Sequence, residues 1–116
     1  MGAHSRIEAR LVRPGEIFSA PHVIDLEVAQ ALRQLARRGN IDAPRADEAL
    51  SDFGDLRIRR SPHGALLPRV WELGSNLSAF DAAYVALAEA LGAPLITADA
   101  ALSRAPGHSA RIELFV

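Results

Sequence analysis

Three carboxylates and a run of small apolar residues set the chemistry open to this chain. Asp81 and Asp99 both fall in the stretch Ser78 to Leu102, SAFDAAYVALAEALGAPLITADAAL, and Glu27 falls far upstream in HVIDLEVAQAL. Ser78 is spaced to cap a helix carrying Asp81 in its first turn, Gly92 is placed to stop it, and Pro94 to Thr97 reads as a short buried strand. Asp99 then stands just past that strand, where ligands bind in a parallel sheet. Tyr84, Val85 and Ala88 share a helix stripe with Asp81, so this acid borders apolar surface and needs a donor or a cation as partner. Each acid also has a plain structural reading. Ser78-x-x-Asp81 fits a capping box, and an Asp directly after a strand commonly caps the next helix.

Carboxylates brought close together repel one another, and a divalent cation relieves that repulsion. The same cation can polarise a phosphate and lower the pKa of an attacking water. Oxygen donors suit hard ions such as Mg²⁺ or Mn²⁺. The chain has no cysteine, which excludes disulfides, zinc thiolate sites and cysteine nucleophiles. Its four histidines, His4, His22, His63 and His108, stand at no ligand-like spacing and read as surface or loop residues. No Gly-rich phosphate loop or nucleophile elbow is present.

The elements that must position these acids follow from periodicity and punctuation. Ser5-x-x-Glu8, with Ile7 and Leu11 at helical spacing, reads as a short first helix ending at Pro14-Gly15. Glu16 to Ala20 is extended, and Val23 to Arg38 is a helix closed by Gly39-Asn40, with Glu27 near the border of its two faces. Asp42 is placed to cap a helix that ends near Gly54. Leu56 to Arg60 alternates as a strand, Leu66 to Ser75 is helical, a brief helix runs to about Arg104, and Arg111 to Val116 is a closing strand. Helices alternating with short strands define an α/β fold with a mostly parallel sheet. At 116 residues, 49% hydrophobic and 23% charged, the chain reads as one soluble domain over residues 1–116.

Lysine is absent, so every basic side chain is an arginine. The clusters Arg33, Arg37, Arg38 and Arg57, Arg59, Arg60 read as solvated faces, and the net charge of −1 leaves a nucleic-acid partner open. No apolar run approaches membrane-spanning length, and charges interrupt the N-terminus where a signal peptide needs its apolar region. These features indicate a cytoplasmic protein with no membrane association.

HVIDLEVAQAL and NLSAFDAAYVALAEALGAPLITAD, in this order of helices and strands, closely resemble the PIN-domain ribonuclease toxins of the VapC type, one half of bacterial type II toxin-antitoxin modules. The resemblance implies a three-layer α/β/α fold and a Mg²⁺- or Mn²⁺-dependent endoribonuclease. It assigns catalytic and metal-binding roles to Glu27, Asp81 and Asp99, with Thr97 as a candidate for positioning. It also implies an antitoxin partner, an RNA substrate and a homodimer, with apolar residues such as Leu11, Leu32 and Leu35 on the early helices available for association. The family's first acid, at the end of an initial strand, has no counterpart, so the chain reads as N-terminally truncated with that first strand missing. A second reading follows from that departure: a catalytically impaired domain that only dimerises or binds the antitoxin.

Overall fold

The computed structural model describes residues 11–12, 17–97, 102 and 104–114. Five strands form one sheet: β1 (Leu11–Val12), β2 (Phe18–Pro21), β3 (Ile58–Ser61), β4 (Leu95–Thr97) and β5 (Ile112–Leu114), in the order β3-β2-β1-β4-β5. The outer pairs are parallel, with Phe18 opposite Ile58 and Leu95 opposite Ile112. At the centre, β1 runs antiparallel to both neighbours, pairing Val12 with Ser19 and with Leu95. The sheet therefore has a central strand, supplied by residues that the helical spacing of Ile7 and Leu11 assigned to a helix. Leu11 belongs to a strand instead: spacing of four is a local cue, and ladder pairing with distant residues overrides it. The rest of that expected helix, and its stop at Pro14-Gly15, lie outside the described residues, as does most of the brief helix expected before Arg104.

Four helices complete the described architecture: α1 (Ile24–Arg37), α2 (Ala43–Gly54), α3 (Leu67–Glu72), flanked by 3₁₀ turns, and α4 (Ala79–Leu91). Local signals explain their ends. The Asp42 carboxylate accepts from Arg45 N–H at 2.8 Å and Pro44 sits in the first turn of α2, while Gly39 takes φ 77° just beyond α1. Ser78 Oγ accepts from Asp81 N–H at 3.1 Å to open α4, and Gly92 closes it at φ 61°. Loss of such a cap costs about 1 kcal/mol.

Helix α4 is the centre of the molecule. Its residues Ala82 through Ala88 are all buried, and it packs on β1, β2, β4 and α3. Alanine is the best helix former and has the smallest side chain that is still apolar, so one segment can be helical by propensity and enclosed on every side. Leu73, Leu95 and Leu102 fill the core around it with Ile24 and Tyr84. Cutting one such leucine to alanine costs about 2–5 kcal/mol. Leu32, assigned from sequence to an association surface, packs against this core; the side chain of Leu11 lies outside the described residues. Among the described residues no helix is long and apolar enough to cross a membrane. The architecture is the α/β, PIN-like class that the sequence indicates.

Candidate active site

The turn Gly92 to Pro94 reverses the chain, so α4 runs opposite to β4 while packing on the inner strands β2, β1 and β4. At about 1.5 Å per residue its 13 residues span ~20 Å, which sets its first turn at the carboxyl end of the sheet and its last turn at the other end. Asp81 is in that first turn and is half-buried. Thr97, the last residue of β4, is fully buried at the same end. Asp99 lies outside the described residues, and among those described no three acidic or histidine side chains gather as a metal cluster.

Glu27 arrives by a different route. Strand β2 ends at Pro21, α1 begins three residues later, and Glu27 is in its first turn, just past the carboxyl end of the strand. A negative side chain there is favoured by the helix dipole. Its Oε1 accepts from the Tyr84 hydroxyl at 2.6 Å, and Tyr84 itself is completely buried. Because Tyr84 follows Asp81 by three residues on α4, this bond holds Glu27 beside the turn that carries Asp81. Two of the three expected acids are thus brought to one end of the sheet by elements 57 residues apart.

The neighbouring acid has a different fate. Asp25 takes Arg60 in a forked pair, with Nε to Oδ1 and Oδ2 at 2.9 and 2.8 Å and Nη2 to Oδ1 at 2.7 Å. That hydrogen bonding raises the Arg60 pKa against a smaller opposing effect of burial. Arg60 also donates to the Ile58 carbonyl and lies 5.6 Å from the Phe53 ring centroid. Its expected place on a solvated face is therefore corrected: it fastens β3 to the start of α1. Arg57, Arg59, Arg33, Arg37 and Arg38 are exposed, as read. His63 Nε2 accepts from Val23 N–H at 3.1 Å, supplying the start of α1 with an acceptor that a valine cannot offer. It acts as a cap, and the sequence contains no signal for that role.

Between α1 and the first turn of α4 lies an open groove of about 350 Å³, lined by Val23, Leu26, Glu27, Gln30, Gln34 and Phe80. Leu26 and Phe80 are 73% and 57% exposed, so an apolar rim borders the Glu27 carboxylate. Among the described residues the Tyr84 hydroxyl is the one donor to that carboxylate. A carboxylate has about four acceptor positions, so, counted over the described residues, most of Glu27's capacity remains for other ligands.

Comparison with known proteins identifies this arrangement. The model of the PIN domain family matches residues 2–108, and the chain belongs to that family. Within it the chain is of the VapC type. It is 45% identical to Ribonuclease VapC9 of Mycobacterium tuberculosis over 96 residues, covering 83% of this chain and 76% of that protein. Ribonuclease VapC12 of the same organism is 42% identical over 106 residues, covering 91% and 81%, and Ribonuclease VapC1 is 40% identical over 111 residues, covering 95% and 84%.

Proposed function

We propose that this chain is the endoribonuclease toxin of a type II toxin-antitoxin module, acting in the cytoplasm as a single PIN domain over residues 1–116. The observation that carries this reading is the hydrogen bond from the Tyr84 hydroxyl to Glu27, which ties Glu27 to the helix bearing Asp81 in its first turn, in a chain 40–45% identical to three ribonucleases. The donor set is chemically suited to Mg²⁺ or Mn²⁺: carboxylates without thiolates, with acceptor capacity left on Glu27. Asp81 and Asp99, with Glu27, are assigned as the residues that hold such an ion. When bound, it supplies charge neutralisation at the scissile phosphate and a more acidic water.

The chain's own groups then divide the work. Glu27 orients the attacking water and accepts hydrogen bonds from it; Asp81, in the first turn of α4, contributes negative charge toward the ion that would offset the phosphate. Thr97, buried at the end of β4, positions the strand end that leads to Asp99. Water oxygen attacks phosphorus in line, forming one P–O bond as the P–O3′ bond breaks; the water's proton is released to solvent and the leaving 3′ oxygen takes one up from it, giving a 5′-phosphate and a 3′-hydroxyl. No histidine pair is required as general acid and base. A cognate antitoxin and a second copy of the chain are the proposed protein partners.

The test is cleavage of a structured RNA followed by end-group analysis. Products with 5′-phosphate, loss of cutting in EDTA, and loss of cutting in Asp99→Asn are expected. A 2′,3′-cyclic phosphate, or cleavage undiminished by EDTA, would exclude the reading.

A further inference from the structure

We infer that Tyr84 is a positioning residue for Glu27, and that its phenol sets the ability of this site to hold a divalent cation. The inference rests on the proposed nuclease reading and extends it to a residue outside the acidic set. Tyr84 is fully buried on α4, whereas Glu27 is half-buried at the edge of the groove on α1. A buried phenol needs an acceptor, and here the acceptor is an ionisable group facing a groove, at a distance of 2.6 Å. Bonds of this length from a hydroxyl to a carboxylate are charge-assisted and directional. A glutamate has three side-chain torsions, and an exposed one samples many rotamers. The phenol removes that freedom. One carboxylate oxygen is pinned to a rigid, enclosed helix, and the group is presented to the groove in one orientation before any ligand arrives. Preorganisation of this kind lowers the cost of binding.

Burial alone would also explain a bonded phenol, so the test must separate anchoring from packing. Tyr84→Phe removes the hydroxyl and preserves the ring. The expected result is a three- to tenfold weaker Mn²⁺ affinity by calorimetry, a roughly tenfold lower kcat on RNA with KM within twofold, and a thermal midpoint of the metal-free protein within a few degrees of the parent. In a Glu27→Ala background, which has no acceptor for the phenol, the same change should add nothing, because its effect passes through Glu27. Unchanged Mn²⁺ affinity and kcat in Tyr84→Phe, or a full additional loss in the double variant, would overturn the inference. A readout independent of activity is the side-chain coupling constants of Glu27 in the metal-free protein, measured by NMR. They should report one rotamer in the parent and averaging in Tyr84→Phe, and averaging already in the parent would overturn the anchoring. If the parent neither binds Mn²⁺ nor cuts RNA, the nuclease reading fails while the couplings still judge the role of Tyr84.

Discussion

The two ends of α4 meet carboxylates in opposite states, its own Glu89 at the last turn and the Glu27 of α1, bonded to Tyr84, toward the first. At its last turn Glu89 is enclosed, with a side chain 12% exposed, and is saturated with donors. Arg69 reaches it with Nε at 2.7 Å and Nη2 at 3.0 Å, and Ser109 adds its backbone N–H at 2.7 Å and its hydroxyl at 3.1 Å. Arg69 also donates to the Gly107 carbonyl, so one cluster ties α3 and α4 to the segment leading into β5. The carboxyl is driven down to about 2, chiefly by the Arg69 hydrogen bonds and further by Ser109, against an opposing effect of burial. The first turn is different. Glu27 receives a single donor among the described residues and keeps open acceptor positions beside a groove. A saturated carboxylate is a brace, whereas an undersaturated one beside a groove is available to a ligand. On the proposed function, that contrast, rather than the presence of acids, separates bracing from ligand-binding carboxylates in this fold.

Exchanging the roles of the two ends gives the largest expected effects. Asp81→Asn should lower RNA cleavage by at least about a hundredfold, with a thermal midpoint close to the parent, since it alters charge at a half-buried position and preserves size. Glu89→Ala should do the reverse. It leaves Arg69 and the Ser109 N–H without their acceptor and should cost about 2–4 kcal/mol in urea unfolding. Loss of activity in that variant should be no larger than its loss of folded protein. If Glu89→Ala proves as stable as the parent, the cluster is not a brace.

Acid titration sharpens the same distinction with a smaller effect. The folded pKa of Glu89 is about 2, below its ordinary value of 4.5. Its contribution is therefore complete above pH 4.5 and declines as pH falls toward 2, by an amount on the order of 2 kcal/mol once the partial exposure of Arg69 is allowed for. Urea denaturation of the parent and Glu89→Gln should show a gap at pH 7 that narrows at pH 3. A gap that widens on acidification would contradict the sign. The smallest effect belongs to the exposed pair on α2. Arg45 lies 2.6 Å from Glu48 with both side chains more than half exposed, so Glu48→Gln should change stability by less than about 0.5 kcal/mol at 0.15 M salt.

Local chemistry was legible in the sequence, and long-range pairing was not. The caps Asp42 and Ser78 and the terminators Gly39 and Gly92 fixed three helices to within a residue or two because each acts within one turn of its own position. Leu11 shows the limit: a two-residue strand is defined by its partners, and nothing in the helical spacing of Ile7 and Leu11 announces them. Asp81 is singled out by its place in a capped helix and Glu27 by its place in HVIDLEVAQAL, with their roles supplied by resemblance, yet the bond that joins Glu27 to α4 spans 57 residues, and Asp25 with Arg60 spans 35. From sequence Tyr84 is simply a member of the apolar stripe. A lone tyrosine among alanines is nonetheless a usable signal, since a polar tip in a segment otherwise free of polar groups must find an acceptor somewhere.

The alanine helix has a consequence for how this protein can vary over time. Seven consecutive enclosed positions, Ala82 through Ala88, leave almost no site within that run where a larger side chain could be admitted without moving the sheet. Inherited change is consequently channelled elsewhere, to the exposed arginines, the groove rim at Leu26 and Phe80, and the outward face of α2. The rim and the arginine surface can thus change one side chain at a time, while the enclosed run of the central helix can change only together with the sheet around it.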